Sequence, residues 1–219
     1  MDSLSRAPAH CLYRRSDRDS LVAAQDALED MRLLAAALRR HGIPWALFGG
    51  AAARSYGVDC RLRDIDLITS ASLEATDAAA PGAVPYVYGD LEGRVIGKIE
   101  IWPSPLLLDG GSTRYLFEFD AEMRARVRIA SVPAVGLEMP VLAPEDLIVI
   151  KALQQRGESC GKHDMRDLRQ LWEAQREVLD RGYLCSRAGR VRGLDRVERA
   201  LAAAGVTETF AGPHGGAGG

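Results

Sequence analysis

Residues 45–70 read WALFGGAAARSYGVDCRLRDIDLITS, and the fold turns on this stretch. The apolar run Trp45-Ala46-Leu47-Phe48 predicts a short buried strand. Gly49 and Gly50 follow, then the helix-favouring Ala51, Ala52 and Ala53. Two glycines between a strand and a helix let backbone N–H groups approach a ligand, with the positive end of the helix dipole behind them. Further on, Asp64-Ile65-Asp66-Leu67 alternates polar with apolar. A strand here turns both carboxylates one way and Ile65 and Leu67 the other. Adjacent carboxylates repel and are costly to bury unpaired, which points to an oxygen-liganded cation such as Mg2+ between them. Each feature alone has a plain reading, Gly-Gly as a turn and Asp-x-Asp as solvated surface. Together, at this spacing, they are equipment for chemistry on a nucleoside triphosphate.

The 219-residue chain is long enough for one large domain or a core with a smaller part attached. Its 47% hydrophobic and 26% charged content argues against disorder. A net charge of −2 gives no global attraction for nucleic acid, so an RNA or DNA contact would need a local basic patch. No stretch approaches the roughly eighteen apolar residues of a membrane span, so no membrane partner is expected. The start, MDSLSRAPAHCLYRR, lacks the apolar region of a secretory signal. Cys11, Cys60, Cys160 and Cys185 are scattered, as in a cytoplasmic protein with reduced thiols.

A leader, residues 1–16, is expected to be flexible, as is the glycine-rich end 209–219. Asp19 or Ser20 can cap a helix reaching about Arg40, with Leu21, Ala24, Leu28, Met31, Ala35 and Leu38 on one stripe and Gly42 and Pro44 stopping it. After Ser70 a helix capped at Ser72 or Thr76 is expected. Tyr86 to Tyr88 and Arg94 to Trp102 then read as strands around a Gly89–Gly93 turn, with Val95, Ile99 and Ile101 on one face and Lys98 and Glu100 on the other. Asp120 to Arg128 suggests a short helix entering a strand, and residues 129–142, broken by Pro133 and Gly136, a hairpin. From Pro144-Glu145-Asp146 to about Gly205 the pattern is helical.

The strand, Gly49-Gly50, the small-residue helix, Gly57 and the Asp64-Ile65-Asp66 strand resemble the nucleotidyltransferase superfamily that includes DNA polymerase β, and within it the minimal single-chain bacterial and archaeal members. There the pattern is GG-x-A, about ten residues, then D-[IL]-D and an apolar strand end. Relatives often carry Thr or Ser two residues before the first Asp, where this chain has Leu62 between Arg61 and Arg63. The resemblance implies a third carboxylate on the strand beside Asp-x-Asp. Ile99-Glu100-Ile101 is the best match, with Glu118 and Asp120 of Phe117-Glu118-Phe119-Asp120 as rivals, although relatives usually have Asp there.

The segment LAPEDLIVIKALQQRGESCGKHDMRDLRQLWE (142–173) extends the resemblance to small and abortive-infection-type nucleotidyltransferases. These share a Pro-Glu-Asp-Leu helix start, a Lys one turn on, a loop with Gly and Arg, and Asp-x-x-Asp. The matching positions are Lys151, Asp164 and Asp167. The resemblance gives the Lys to the triphosphate and the first Asp to the active site or acceptor; acidic residues in a first helical turn are the plain reading. Arg54 either reaches a phosphate from the helix after the glycine turn or is solvated. Cys160 with His163 is a single Cys-x-x-His pair, too few ligands for a structural zinc. The late arginines Arg187, Arg190, Arg192, Arg196 and Arg199 make a solvated face or, second, an RNA-contacting one.

The expectation is a mixed α/β nucleotidyltransferase core over residues 17–143 and a helical C-terminal region over 144–208. The activity implied is NMP transfer from an NTP to an acceptor hydroxyl. Asp64, Asp66 and Glu100 would bind Mg2+, as two ions or with Mn2+ in its place, and Gly49 and Gly50 would hold phosphates. The resemblance allows tRNA or another RNA, a protein, or an aminoglycoside-like small molecule as acceptor, and a toxin paired with an antitoxin. The alternative is a catalytically silent nucleotide-binding or interaction module of the same fold.

Overall fold

The computed structural model of the chain describes residues 24–207. The expected leader, Asp19, Ser20 and Leu21 lie outside them. Helix α1 (Ala24–Arg40) buries Ala27, Met31, Leu34 and Leu38, a stripe at helical spacing, and Arg39 and Arg40 occupy its last turn. Strand β1 (Trp45–Phe48) leads directly into α2 (Gly49–Ser55), whose three alanines are fully buried. Strand β2 (Ile65–Thr69) follows, then α3 (Leu73–Ala79), capped by Ser72, whose hydroxyl accepts from Ala75 N at 3.2 Å.

Next come β3 (Val84–Tyr88), β4 (Leu91–Ile96) and β5 (Ile99–Pro103). The expected Gly89–Gly93 turn is shorter, and the Arg94–Trp102 run is two strands folded at Gly97, where φ is +54°. This corrects the expected faces. Val95 pairs with Glu100 and shares its side, Ile99 and Ile101 point the other way, and Lys98 sits in the turn between the strands. A hairpin of β6 (Leu106–Asp109) and β7 (Arg114–Phe117) forms a separate two-stranded sheet. Helix α4 (Ala121–Ala125) is capped by Asp120, and β8 (Arg128–Val132) and β9 (Leu137–Val141) make the expected hairpin.

The main sheet has seven strands in the order β3-β4-β5-β2-β1-β9-β8. It is mixed: β2 pairs parallel to β5 and antiparallel to β1, which pairs parallel to β9. Helices α1 and α3 pack together and against β5 and β4. Arg94, in register with Ile101, donates from Nη2 to Asp77 Oδ2 of α3 at 2.8 Å. That contact fixes α1 and α3 over the Ile99–Ile101 face, so Asp66 and Glu100 point to the opposite side.

From Pro144 the chain is helical: α5 (Pro144–Gln154), a 3-10 turn (Glu158–Cys160), α6 (Asp164–Gln175), α7 (Arg181–Arg190) and α8 (Leu194–Ala203). Helix α5 is buried from Pro144 to Leu153 and packs on α6, α7, α8, α2 and β6. A helix apolar nearly all round must be a central one. Its acidic first-turn residues are therefore internal: Asp146 Oδ1 accepts from Tyr183 Oη at 2.8 Å, and Glu145 Oε1 from Asp180 N at 2.8 Å. Arg187 is 2% exposed, stacks 4.5 Å from the Phe117 ring centre and pairs with Asp120 at 2.6 Å. No helix among the described residues is long and apolar enough to cross a membrane.

Candidate active site

The carboxylates sit where β2, β5 and β1 come side by side. Asp66 is in register with Glu100 on the parallel strand β5 and with Phe48 on β1. Residues paired in register project from the same face. Asp64 precedes β2 by one residue and is 8% exposed; Glu100 is 3% exposed, while Ile65 and Leu67, facing the core, are fully buried. The rivals Glu118 and Asp120 belong to no strand of this sheet. Asp120 caps α4 through Met123 N at 2.9 Å and pairs with Arg187; burial raises its pKa, but the Met123 hydrogen bond and then the Arg187 charge outweigh that and hold the carboxyl below its usual range.

The glycine turn is packed directly on the carboxylates. At Gly49, φ is +65°, and a Cβ would lie 2.2 Å from Asp66 Oδ2. No side chain fits there, so the backbone and the Asp66 carboxylate are in immediate contact. At Gly50 a Cβ would meet Leu62 Cδ2 at 2.9 Å. Leu62 is thus a packing residue over the turn. Cys60 closes the same corner, its Sγ donating to Gly50 O at 3.4 Å, and burial, ahead of the Asp167 charge, pushes its thiol pKa up. Arg54 is exposed in the last turn of α2.

The resemblance-derived trio is brought together, but inside the protein. Lys151 is 5% exposed, and its Nζ lies 2.9 Å from Asp167 Oδ2 and 3.4 Å from Asp164 Oδ1. Asp164 also accepts from Arg156, through N and Nε, both at 2.9 Å. Burial raises the Asp164 pKa, but Arg156 and Lys151 outweigh it and hold the carboxyl low. Conversely, burial opposes the Arg156 charge, while Asp164 and, less strongly, Asp66 keep its pKa raised. Asp164 therefore ties Lys151 on one side to Arg156, which feels Asp66, on the other.

The loop from Gln155 to His163 brings cations that the sequence reading did not single out. Gln155, at φ 50°, ends α5 in the left-handed region. Lys162 Nζ lies 3.9 Å from Asp64 Oδ1. Beside it, Gly161 has φ +62°, and the Arg63 guanidinium occupies the space of a Cβ at that position. His163 holds the cap position of α6 without a side-chain cap bond. The sequence offers only a basic, Gly-containing loop between two helical patterns as a signal for these contacts.

The donors at this corner are carboxylate oxygens, the set that a hard divalent cation takes. Neighbouring strands lie about 4.8 Å apart, so Asp66 and Glu100 are within side-chain reach of one ion. The Gly49 backbone leaves the space beside Asp66 clear of a side chain. The residues fit such an ion in chemistry and register. As the side chains stand, no three His, Cys, Asp or Glu groups among the described residues converge as a metal site.

No protein-family model matches the chain, and no curated protein matches it. Among solved structures, it is similar to the antibiotic-resistance factor ANT(2'')-Ia, at 16% identity and a TM-score of 0.41, over 83% of this chain and 92% of that one. It is also similar to an antigenic nucleotidyltransferase-like protein from Paracoccidioides brasiliensis, at 16% identity and a TM-score of 0.45, over 84% and 94% of the two chains. Likenesses this distant transfer no residue roles.

Proposed function

We propose that the protein is a metal-dependent nucleotidyltransferase, which moves an NMP from an NTP to an acceptor hydroxyl and releases pyrophosphate. The observation that carries this reading is the contact between Gly49 and Asp66, with Glu100 in register beside it. A backbone turn able to approach phosphate is thereby fixed against a set of cation-binding carboxylates. Asp64, Asp66 and Glu100 would hold Mg2+, or Mn2+ in its place. Bound there, such ions supply activation of the attacking oxygen and charge stabilisation of the leaving one. The chain's own contribution is to position: Gly49 and Gly50 present backbone N–H groups to the phosphates, and β2 and β5 hold the carboxylates in a fixed register.

The acceptor is an RNA, a protein or a small molecule of the aminoglycoside kind. Dependence on NTP suits a cytoplasmic enzyme, and a toxin held by an antitoxin is the specific form suggested by the Lys151, Asp164 and Asp167 pattern. The test is incorporation of label from each α-labelled NTP, with Mg2+, into total RNA, cell protein and an aminoglycoside panel. It is run beside the Asp64→Ala/Asp66→Ala double variant. Label that requires the two aspartates establishes the transferase, and the fraction that carries it identifies the acceptor class.

One observation favours a second reading. Lys162 lies against Asp64. A silent nucleotide-binding module would keep such a counter-ion permanently. It would bind nucleotide without Mg2+ and without sensitivity to Asp66→Ala, and it would release no pyrophosphate.

A further inference from the structure

We infer that Lys162 is a built-in counter-ion for Asp64, which an entering divalent cation must displace. The inference rests on the reading of Asp64 and Asp66 as cation ligands. Lys162 is carried on the loop joining α5 to α6, and its Nζ stands 3.9 Å from Asp64 Oδ1 with its side chain 32% exposed. Asp64 itself is 8% exposed. A nearly buried carboxylate is thus faced by an ammonium that has a route to solvent.

The loop is seated so as to deliver that ammonium. Gly161 adopts φ +62°, and the Arg63 guanidinium fills the place of its absent Cβ, so the residue before Lys162 rests on the residue before Asp64. Lys162 N donates to Gly157 O at 3.2 Å, which closes the turn around the 3-10 segment. Arg156, at the other end of the loop, is held by Asp164 and adds a second positive charge toward Asp66. Lys162 differs from its neighbours in commitment. Lys151 and Arg156 are tied to buried carboxylates at 2.9 Å, whereas the Lys162 pair is longer and its lysine more exposed. A point charge on a flexible stem can leave such a position, and the negative phosphates of an incoming nucleotide give it somewhere to go. Lys162 thereby opposes cation binding to the empty protein and favours cation and nucleotide arriving together. It is a positioning residue for the carboxylates.

The test is Mn2+ binding to the full chain without nucleotide, followed by electron paramagnetic resonance, for wild type, Lys162→Met, Lys162→Gln and Lys162→Arg. Thermal unfolding checks that each variant is folded. Competition between two cations for one carboxylate is a coupling of the usual size, so Lys162→Met and Lys162→Gln should bind Mn2+ roughly five- to tenfold more tightly. Lys162→Arg should behave as wild type. In an Asp64→Asn background, Lys162→Met should have no effect. Unchanged or weaker Mn2+ binding by both neutral variants, with wild-type binding still dependent on Asp66, overturns the role of Lys162 and leaves the cation site standing. Wild-type Mn2+ binding that is indifferent to Asp64→Asn and Asp66→Ala overturns both.

Discussion

At Gly49, the left-handed backbone and the Asp66 carboxylate together exclude any side chain, whereas a Cβ at Gly50 would press on a methyl of Leu62 and touch the Cys60 sulfur at an ordinary distance. The two glycines should therefore respond differently. Gly49→Ala forces a side chain into φ +65° and against Asp66, and is expected to cost about 2 kcal/mol in urea unfolding and to abolish NMP transfer. Gly50→Ala can be met by rotation of Leu62 and should cost about 1 kcal/mol. The carboxylates divide in the same way. Glu100→Gln, in register with Asp66, should lower transfer by about a hundredfold or more. Glu118→Gln, off the sheet, should leave the rate within about twofold of wild type, since surface substitutions away from a site have small effects. Equal losses in the two variants would move the third carboxylate away from Glu100.

On the scale of elements, the junction of α5 and α6 is an ionic one. Lys151 has its charge met by Asp164 and Asp167 in a buried setting. Removing one partner of a buried pair leaves the others uncompensated, so Lys151→Met should destabilise the fold by about 3 kcal/mol, read from urea unfolding. A lysine serving only the triphosphate would instead leave stability unchanged and raise KM for NTP. The same junction limits what the sequence could disclose. The Lys151 and Asp-x-x-Asp pattern is legible in the chain, but its partners are set by how α6 folds back. The β6–β7 hairpin, by contrast, has a local signal in the chain. Asp109-Gly110-Gly111 between apolar runs marks a turn of this kind, and Gly111 N donates to Asp109 Oδ1 at 2.8 Å.

Across the whole molecule, α5 sits among α2, strand β6 and the other C-terminal helices, and its contact with α7 contains a group sensitive to pH. Burial, only partly offset by the Tyr183 hydrogen bond and the Arg187 charge, raises the Asp146 pKa to about 7, with Glu145 and Asp120 adding to the rise. A carboxyl with a raised folded pKa binds more protons folded than unfolded. Its stabilising contribution is therefore complete below the ordinary value of 3.8 and is lost as pH rises through about 7. Asp146→Asn should flatten the dependence of the thermal midpoint on pH between about 4 and 7, with the gain over wild type largest on the alkaline side. A wild-type midpoint that climbs steadily across this window, unchanged in slope by Asp146→Asn, would contradict this.

What the sequence determined by itself is local: the strand at Trp45–Phe48, the glycine turn, the end of α1 at Arg40, and the alternation that sends Asp66 away from Ile65 and Leu67. Each is written in residues a few positions apart, whose periodicity and backbone freedom act before any long-range contact forms. The tertiary structure alone placed Glu100 in register with Asp66 and left Glu118 and Asp120 off the sheet, because strand register comes from pairing β2 with a strand more than thirty residues away. It alone buried Lys151 and set Lys162 against Asp64, because charges distant in the chain find their partners only when packing brings them within a few ångströms.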